Sequence, residues 1–417
     1  MKHYFRLFIF VLFPFFLTSE VRVGVGCSNI TPPIGTPSAG YIDRQGKGME
    51  GVHDPLKAIA LFIDNGTKQI VLCSVDHLGF SYEMVQNIIH KVKLKSQLPH
   101  CEYFIASSHT HSGGGSYLNI PVLGEMLAGL FDAKIAAYYE NKTVKAILKA
   151  QELPIPAKIG IGYGEGPSII KYRSSFPKDV QPLLDVAIIK ITKLDDSPIA
   201  VLFNFPIHPT VLKATNLLFS ADCIGCARMH IQRLLGAEML FFNGAQGDIT
   251  PIDIQGTDDF KACDIMGEAI GKAVKKIWEQ TPVDESFEID AKKLTYSFNP
   301  QATPNGFKLS IKNYASEMNL LVLNRKYAFL TMPGELSCIY DHRLKAFGKK
   351  LGYEQVSIFG LVNDAHGYII LPLSWHNKTA ESNLSFGGAL YGQEMEARAK
   401  NLLMTQILSM PVPVPVR

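Results

Sequence analysis

Residues 101–115 read CEYFIASSHTHSGGG: an apolar run stops abruptly at two histidines one residue apart, then gives way to serine and glycine. Unbroken apolar character over a short run, bounded by turn-forming residues, predicts a strand buried on both faces. Such strands belong to sheets covered by helices, and α/β proteins place their sites on the loops at strand ends. The glycines that follow let a backbone approach a ligand closely. If 101–108 is a strand, residues two apart share a face, so His109 and His111 address one point. By itself an H-x-H is equally a metal pair, a catalytic pair or a polar strand end.

Working outward, strand-like runs recur at 57–64, 68–76, 157–164, 185–192, 199–207, 237–244, 319–332 and 354–362. Asn65-Gly66 joins the first two as a hairpin. Amphipathic helical stretches interleave with them at 81–96, 124–152, 223–237, 261–280 and 386–410. The alternation predicts an α/β fold, a mixed β-sheet core flanked by helices, as a single large domain over residues 20–410. No fixed-period repeat is visible. The segment EQTPVDESF, 279–287, is the most prominent internal seam, and residues 411–417 form an extended tail.

With 417 residues, 47% of them hydrophobic and 19% charged, the chain has ample material for a large core. The net charge of +3 and the lack of any basic block give no footing for a nucleic-acid partner, and no protein partner is evident. Residues 1–19 read as a secretory signal: a basic start, MKHYFR, precedes LFIFVLFPFFL, an apolar run of eleven residues. That run is short for a hydrocarbon layer of about 30 Å. Export is expected, whether to the medium, a periplasm or a membrane surface, with an uncleaved anchor as the alternative. The seven cysteines sit mostly in apolar runs and read as buried thiols. Cys223 and Cys226 have redox-motif spacing without the aromatic or proline setting of such motifs. N-x-S/T triplets at Asn29, Asn65, Asn141, Asn377 and Asn383 matter only in a host that glycosylates exported proteins.

Other strand ends carry residues of the same chemistry. VLFNFPIHP delivers His208, read as a ligand or as a core or capping histidine. YAFLTMPGELS delivers Glu335, either a ligand or an acidic residue opening the next helix. IFGLVNDAHGYIILP delivers Asn363, Asp364, His366 and Tyr368. FFNGAQGDITP, 241–251, is a tight polar turn containing Asn243, Gly244 and Gln246, whose Asp248 orients a histidine or caps the next segment. Two histidines and one carboxylate form a zinc set that leaves room for water.

In this order, the segments NITPPIGTPSAGY, SVDHLG, ASSHTHSGGG, NFPIHP, NGAQGDITP, MPGELS and GLVNDAHGYI resemble the catalytic domain of neutral (non-lysosomal) ceramidases, from about Gly24 to about Tyr391. The resemblance implies a zinc amidase that splits ceramide into sphingoid base and fatty acid. It implies zinc held by His109, His208, Glu335 and Tyr368, with His111 as the second histidine of the active site and Arg173, in KYRSSF, as its arginine. Asp248 and Asn243 then stand behind the ligands as supports. Two departures are expected to matter. Where the family's turn carries a serine implicated in catalysis, this chain has Gly244, and the family's C-terminal immunoglobulin-like domain has no counterpart after Tyr391.

A mechanism without the serine remains: a zinc-held water attacks the amide carbonyl, and His111 serves the leaving group or the oxyanion. The expected substrate is a small-molecule or lipid amide, met through peripheral membrane contact. The alternatives are a zinc amidase or esterase acting on a different substrate, and an exported binding protein built on a degenerate hydrolase scaffold.

Overall fold

The structure is a computed structural model that describes residues 20–96 and 98–409. The expected signal, 1–19, and the tail, 411–417, lie outside the described residues.

Most of the main strands bury both faces, and their alternate side chains enter two different cores. In Lys57–Asp64, for example, Ala58, Ala60 and Phe62 pack outward against helices, while Ile59, Leu61 and Ile63 point to the centre. In Pro198–Phe205, Val201, Phe203 and Phe205 face outward and Ala200 and Leu202 inward. In Tyr314–Leu323, Met318, Leu320 and Val322 face outward and Leu321 and Leu323 inward. Double burial explains why these segments read as unbroken apolar runs.

Three sheets therefore surround one central core. The first has the order Glu102–Ser107, Gln69–Val75, Lys57–Asp64, Arg22–Asn29, Ile155–Pro156; the second Glu238–Asn243, Pro198–Phe205, Asp185–Thr192, Lys158–Glu165; the third Gln355–Gly360, Tyr327–Met332, Tyr314–Leu323, Ile289–Phe298. Each sheet is built the same way. Three antiparallel strands in succession are followed by a helix and a fourth strand parallel to the third. The crossover helices are Tyr82–Ser96, Asp222–Leu235 and Cys338–Lys350. A further helix closes each unit: Ala133–Glu152, Asp259–Gln280 and Tyr391–Ser409. Phe242 of the second unit packs on Phe359 of the third with ring centroids 4.7 Å apart.

This threefold repeat of topology was not visible in the sequence, which has no fixed period. One echo survives. The opening strands of the first two units contain Gly-Val-Gly (24–26) and Gly-Ile-Gly (160–162), where a closing segment presses on the sheet. A Cβ on Gly24 would lie 2.0 Å from the Ala150 carbonyl oxygen, and one on Gly160 would lie 2.0 Å from that of Pro282.

Buried asparagines stitch the units together. Asn204 Nδ2 donates to the Phe242 carbonyl at 2.9 Å and to Ile358, in the third sheet, at 2.8 Å. Asn363 Nδ2 donates to the Tyr103 carbonyl of the first sheet at 2.8 Å, and its Oδ1 accepts from the Ile105 amide at 2.8 Å.

Several boundaries differ from expectation. The run 319–332 is two strands, turned by Asn324 and Arg325, both at positive φ (48° and 57°). The stretch 124–152 is two helices, Leu123–Ala128 and Ala133–Glu152. Gly129 at φ 76° breaks it, and Asp132 caps the second by accepting from the Lys134 amide. The seam at 279–287 connects the second and third units, and Phe287 belongs to the shared core. Cys223 and Cys226 are free and buried, with thiols pushed up by burial, which leaves no reactive thiolate there. No described helix is long and apolar enough to cross a membrane.

Candidate metal centre and its cavity

The third and fourth strands of each unit run parallel, so their C-terminal ends open on one side, and the site residues follow those ends. His109 and His111 follow Glu102–Ser107, His208 follows Pro198–Phe205, and Glu335 follows Tyr327–Met332. Tyr368 follows Gln355–Gly360 and pairs in parallel register with Glu335.

The histidine pair is not set by strand alternation. The strand stops at Ser107, and His109 adopts a left-handed φ of 70° with its amide donating to the His77 carbonyl at 2.9 Å. This turn aims both rings at one point: the His109 and His111 centroids are 4.9 Å apart and nearly perpendicular, at 83°. His111 Nε2 lies 3.4 Å from His109 Nε2 and 3.2 Å from His208 Nε2.

The backbone fixes two of the three rings. His109 Nδ1 donates to the Leu78 carbonyl at 2.7 Å, and His208 Nδ1 faces the Gln246 carbonyl at 3.3 Å. Each ring thus presents an unprotonated Nε2 inward, the tautomer a metal ligand requires. Glu335 Oε2 sits 3.2 Å from His109 Nε2 and is buried without a hydrogen-bond donor. Burial, together with neighbouring cationic groups, holds His111 and His208 well below the usual histidine range. Inward lone pairs and an orphaned carboxylate oxygen, gathered among buried side chains, suit a cation. The ligand atoms of His109, His111 and His208 all lie within 4.8 Å of one another.

Tyr368 and Arg173 form the neighbouring edge. Arg173 Nη2 donates to the Tyr368 hydroxyl at 3.0 Å and to the Gly247 carbonyl at 2.9 Å. Burial pushes the Tyr368 phenol up and the Glu335 carboxylate adds to this, while Arg173 pulls it back. Sequence reading missed Glu381. It is buried in the 3-10 turn Ala380–Leu384 and accepts from Arg173 Nε at 3.2 Å and from Ser174 Oγ at 3.1 Å. No motif marks it, since its role depends on chain folding back from beyond position 370.

Of the expected supports, Asn243 sits under both histidine loops. Its side chain donates to the Ile207 and Ser108 carbonyls at 2.8 and 3.3 Å and accepts from the Ile207 amide at 3.1 Å. Asp248 orients no histidine ring. It accepts from Ser337 Oγ and, at 2.8 Å, from the Cys338 amide, so it caps helix Cys338–Lys350. Backbone carbonyls do the orienting instead. Gly244 lies against Pro206, where a Cβ would come within 2.9 Å of three Pro206 atoms. The turn has no room for the serine of the resembled family.

His109, His111, Glu335 and Tyr368 border a cavity of ≈ 950 Å³, counted with its open mouth. Leu118, Ile120, Leu123, Phe298, Leu309 and Phe386 supply its apolar wall. His366 also lines it, with Nδ1 3.2 Å from Asp364 Oδ2 and Nε2 2.9 Å from the Tyr391 hydroxyl.

Comparison with known proteins agrees with this arrangement. The sequence profile of the neutral/alkaline non-lysosomal ceramidase N-terminal domain matches residues 21–299. Neutral ceramidase A of Dictyostelium discoideum is 24% identical over 292 residues, which is 63% of this chain and 40% of that protein. Neutral ceramidase B of the same organism is 25% identical over 228 residues, 50% of this chain and 31% of that protein. The chain thus spans well under half the length of these relatives. The crystal structure of neutral ceramidase from Pseudomonas aeruginosa superposes with a TM-score of 0.82 at 15% identity, covering 96% of this chain and 76% of that one. A structure described as ceramidase complexed with C2 superposes equally well, at 14% identity. The mixed α/β architecture is the neutral ceramidase fold, and the chain belongs to the neutral/alkaline non-lysosomal ceramidase family.

Proposed function

We propose that the protein is an exported zinc-dependent hydrolase that cleaves the amide of an N-acyl lipid, ceramide in the first instance, into sphingoid base and fatty acid. The observation that carries this reading is the gathering of His109, His208 and Glu335, with an unpartnered Oε2, where His109 and Glu335 face an apolar cavity. His109, His208, Glu335 and Tyr368 would hold the metal. Zinc bound there supplies a Lewis acid that polarises a carbonyl and acidifies water.

The residues of the chain account for the rest. Hydrolysis joins a water oxygen to the acyl carbon, breaks the C–N bond and sends a proton to the departing amine. His111, held neutral in the resting site, is placed to carry that proton. Arg173, anchored by Glu381, is placed to receive a substrate oxygen beside Tyr368. Pro206 closes off position 244, so water and not a side chain at that position is the nucleophile. Peripheral membrane contact belongs to the same proposal: Val122, Met126, Leu130 and Phe131 are exposed on the chain segment whose Leu118, Ile120 and Leu123 line the cavity.

The test is metal analysis of the purified protein, followed by assays on ceramide, N-acyl amino acids and simple esters with and without chelator. Chelator-sensitive release of sphingoid base supports the proposal. Turnover confined to the other substrates would sink the ceramide reading, and a metal-free, inert protein would sink both. A second ligand set, with His111 in place of Tyr368, is favoured by the 3.2 Å approach of His111 to His208. Loss of metal in His111→Ala would select it.

A further inference from the structure

Arg44 ends a short 3-10 turn, Ile42–Arg44, and is buried at 6% exposure. It takes part in no ion pair among the described residues. Its guanidinium ends entirely on neutral oxygens. Nη1 donates to Ser38 Oγ and to the His111 carbonyl, Nη2 to the Lys213 carbonyl at 3.1 Å and to Ser112 Oγ at 3.4 Å, and Nε to the Ala214 carbonyl at 3.1 Å. A buried cation with no carboxylate in direct contact is costly, and burial pushes this guanidinium down to about 10 although Tyr41 and Asp222 pull it back. Its rigid fork gives something a single amide or ammonium could not: one group that reaches two loops at once. Those loops carry His111 and the chain just beyond His208.

The neighbouring residues grip the same ring. The Tyr41 ring meets His111 edge-on at 4.8 Å, and its hydroxyl lies 3.3 Å from both the Thr210 and Leu212 carbonyls, on the far loop. Gly40 sits at φ +111°, and a Cβ there would lie 2.5 Å from His111 Nδ1. Residues 40–44 therefore form a strap across the first and second units, over a ring whose other ring contacts among the described residues are His109 and His208.

We infer that Arg44 is a positioning residue for His111. By tying the His111 carbonyl and Ser112 hydroxyl to the Lys213 and Ala214 carbonyls, it sets the 3.2 Å spacing between His111 Nε2 and His208 Nε2. The inference rests on the reading of His111 as the proton-handling group of the proposed hydrolase. Of the strap only Gly40 lines the cavity and Arg44 does not, so Arg44 acts only through the ring it places.

The experiment has an arm that needs no activity. In the metal-free protein, the ring resonances of His111 are followed by ¹⁵N-histidine NMR in Arg44→Lys and Arg44→Met, with His366 as the internal control. The expected result is a shifted or split His111 signal beside an unchanged His366. Ser112→Ala removes one acceptor while leaving Arg44 in place, and should move the same signal less; it also serves if the Arg44 variants fold poorly. In the metal-loaded enzyme, Arg44→Lys should retain zinc, keep KM within about twofold and lose about 10–100-fold in kcat. In a His111→Ala background the same substitution should cost nothing further, because both changes remove one function. An unmoved His111 resonance, or an equal kcat loss in both backgrounds, overturns the inference. A protein inert on every substrate would overturn the proposed function and leave the NMR result to decide the role of Arg44.

Discussion

Gly244→Ser puts back the residue type that the resembled family carries at this turn, and the structure says it should fail. The new Cβ would lie 2.9 Å from the N, Cα and Cβ of Pro206, well inside the 3.4–4 Å of ordinary contact. Pro206 cannot rotate away, because its ring fixes φ. Nor can the chain slide, because Asn243 clamps the next residue through both the Ile207 amide and carbonyl. Overpacking of this kind costs about 1–3 kcal/mol, and a buried hydroxyl without a partner adds about 1–3 kcal/mol more. A total of about 2–6 kcal/mol is expected, with several-fold weaker zinc binding, since His208 lies two residues beyond the displaced proline. Urea unfolding of the metal-free protein, followed by circular dichroism, measures the stability. Gly244→Ala, which adds the Cβ alone, separates the packing cost from that of the hydroxyl. Hydroxylamine trapping tests for an acyl-serine. A serine variant within about 0.5 kcal/mol of the parent, or one that shows a product burst and a trapped acyl group, would refute the argument.

Other predictions follow from the same geometry. His109→Ala and Glu335→Ala should lose zinc and turnover together, whereas His111→Ala should keep zinc and lose turnover; metal analysis beside a ceramide assay checks all three. Glu381→Gln should retain zinc while turnover drops about 10–100-fold, because Arg173 loses its charged anchor; unchanged kinetics would remove Glu381 from the account. His77, packed among Phe80, Tyr117 and Tyr139, is pushed down to about 3 by burial. Its folded value lies below the unfolded value near 6.5, so its contribution is whole above about pH 6.5 and is lost as pH falls toward 3. Linkage puts that loss at about 2 kcal/mol between pH 7 and pH 5, so His77→Phe should flatten the pH dependence of unfolding by that amount. Leu130→Ser with Phe131→Ser should reduce sedimentation with phosphatidylcholine vesicles while leaving hydrolysis of a detergent-dispersed substrate intact. Unchanged sedimentation would remove this patch from the membrane proposal.

Where local chemistry decides, the sequence was readable. Apolar runs such as 57–64 and 185–192 became strands with unchanged bounds, because double burial keeps polar residues to their ends, with Lys190 excepted by its bonds to the Trp278 and Thr281 carbonyls. The histidine, Pro-Gly-Glu and Asn-Asp turns all lie at ends of strands that run parallel to a neighbour. What stayed hidden depends on distant chain. Arg22–Asn29 escaped notice because its glycines weaken a strand pattern, and only a helix more than a hundred residues away explains them. Ile289–Phe298 alternates between sheltered and exposed positions and carries adjacent lysines, so it lacks the apolar run that marked the others. Asp248 had two local readings, and its nearness to Ser337 decided for the cap. Glu381 and Arg44 had no readable signal, since an acid in one loop and a base in another acquire a role only through what the fold brings beside them.

The threefold plan bears on when the site comes into being. His109 and His111 belong to the first unit, His208 to the second, Glu335 and Tyr368 to the third, and no unit alone offers more than two of the five. During synthesis the first two units can each collapse onto their own helices, but a complete coordination sphere exists only after the last one docks. On the proposed ligand set, metal capture is then a late event in maturation. A chain truncated before position 335 would carry histidines yet lack the carboxylate, and tight zinc retention would report that all three parts have assembled in register.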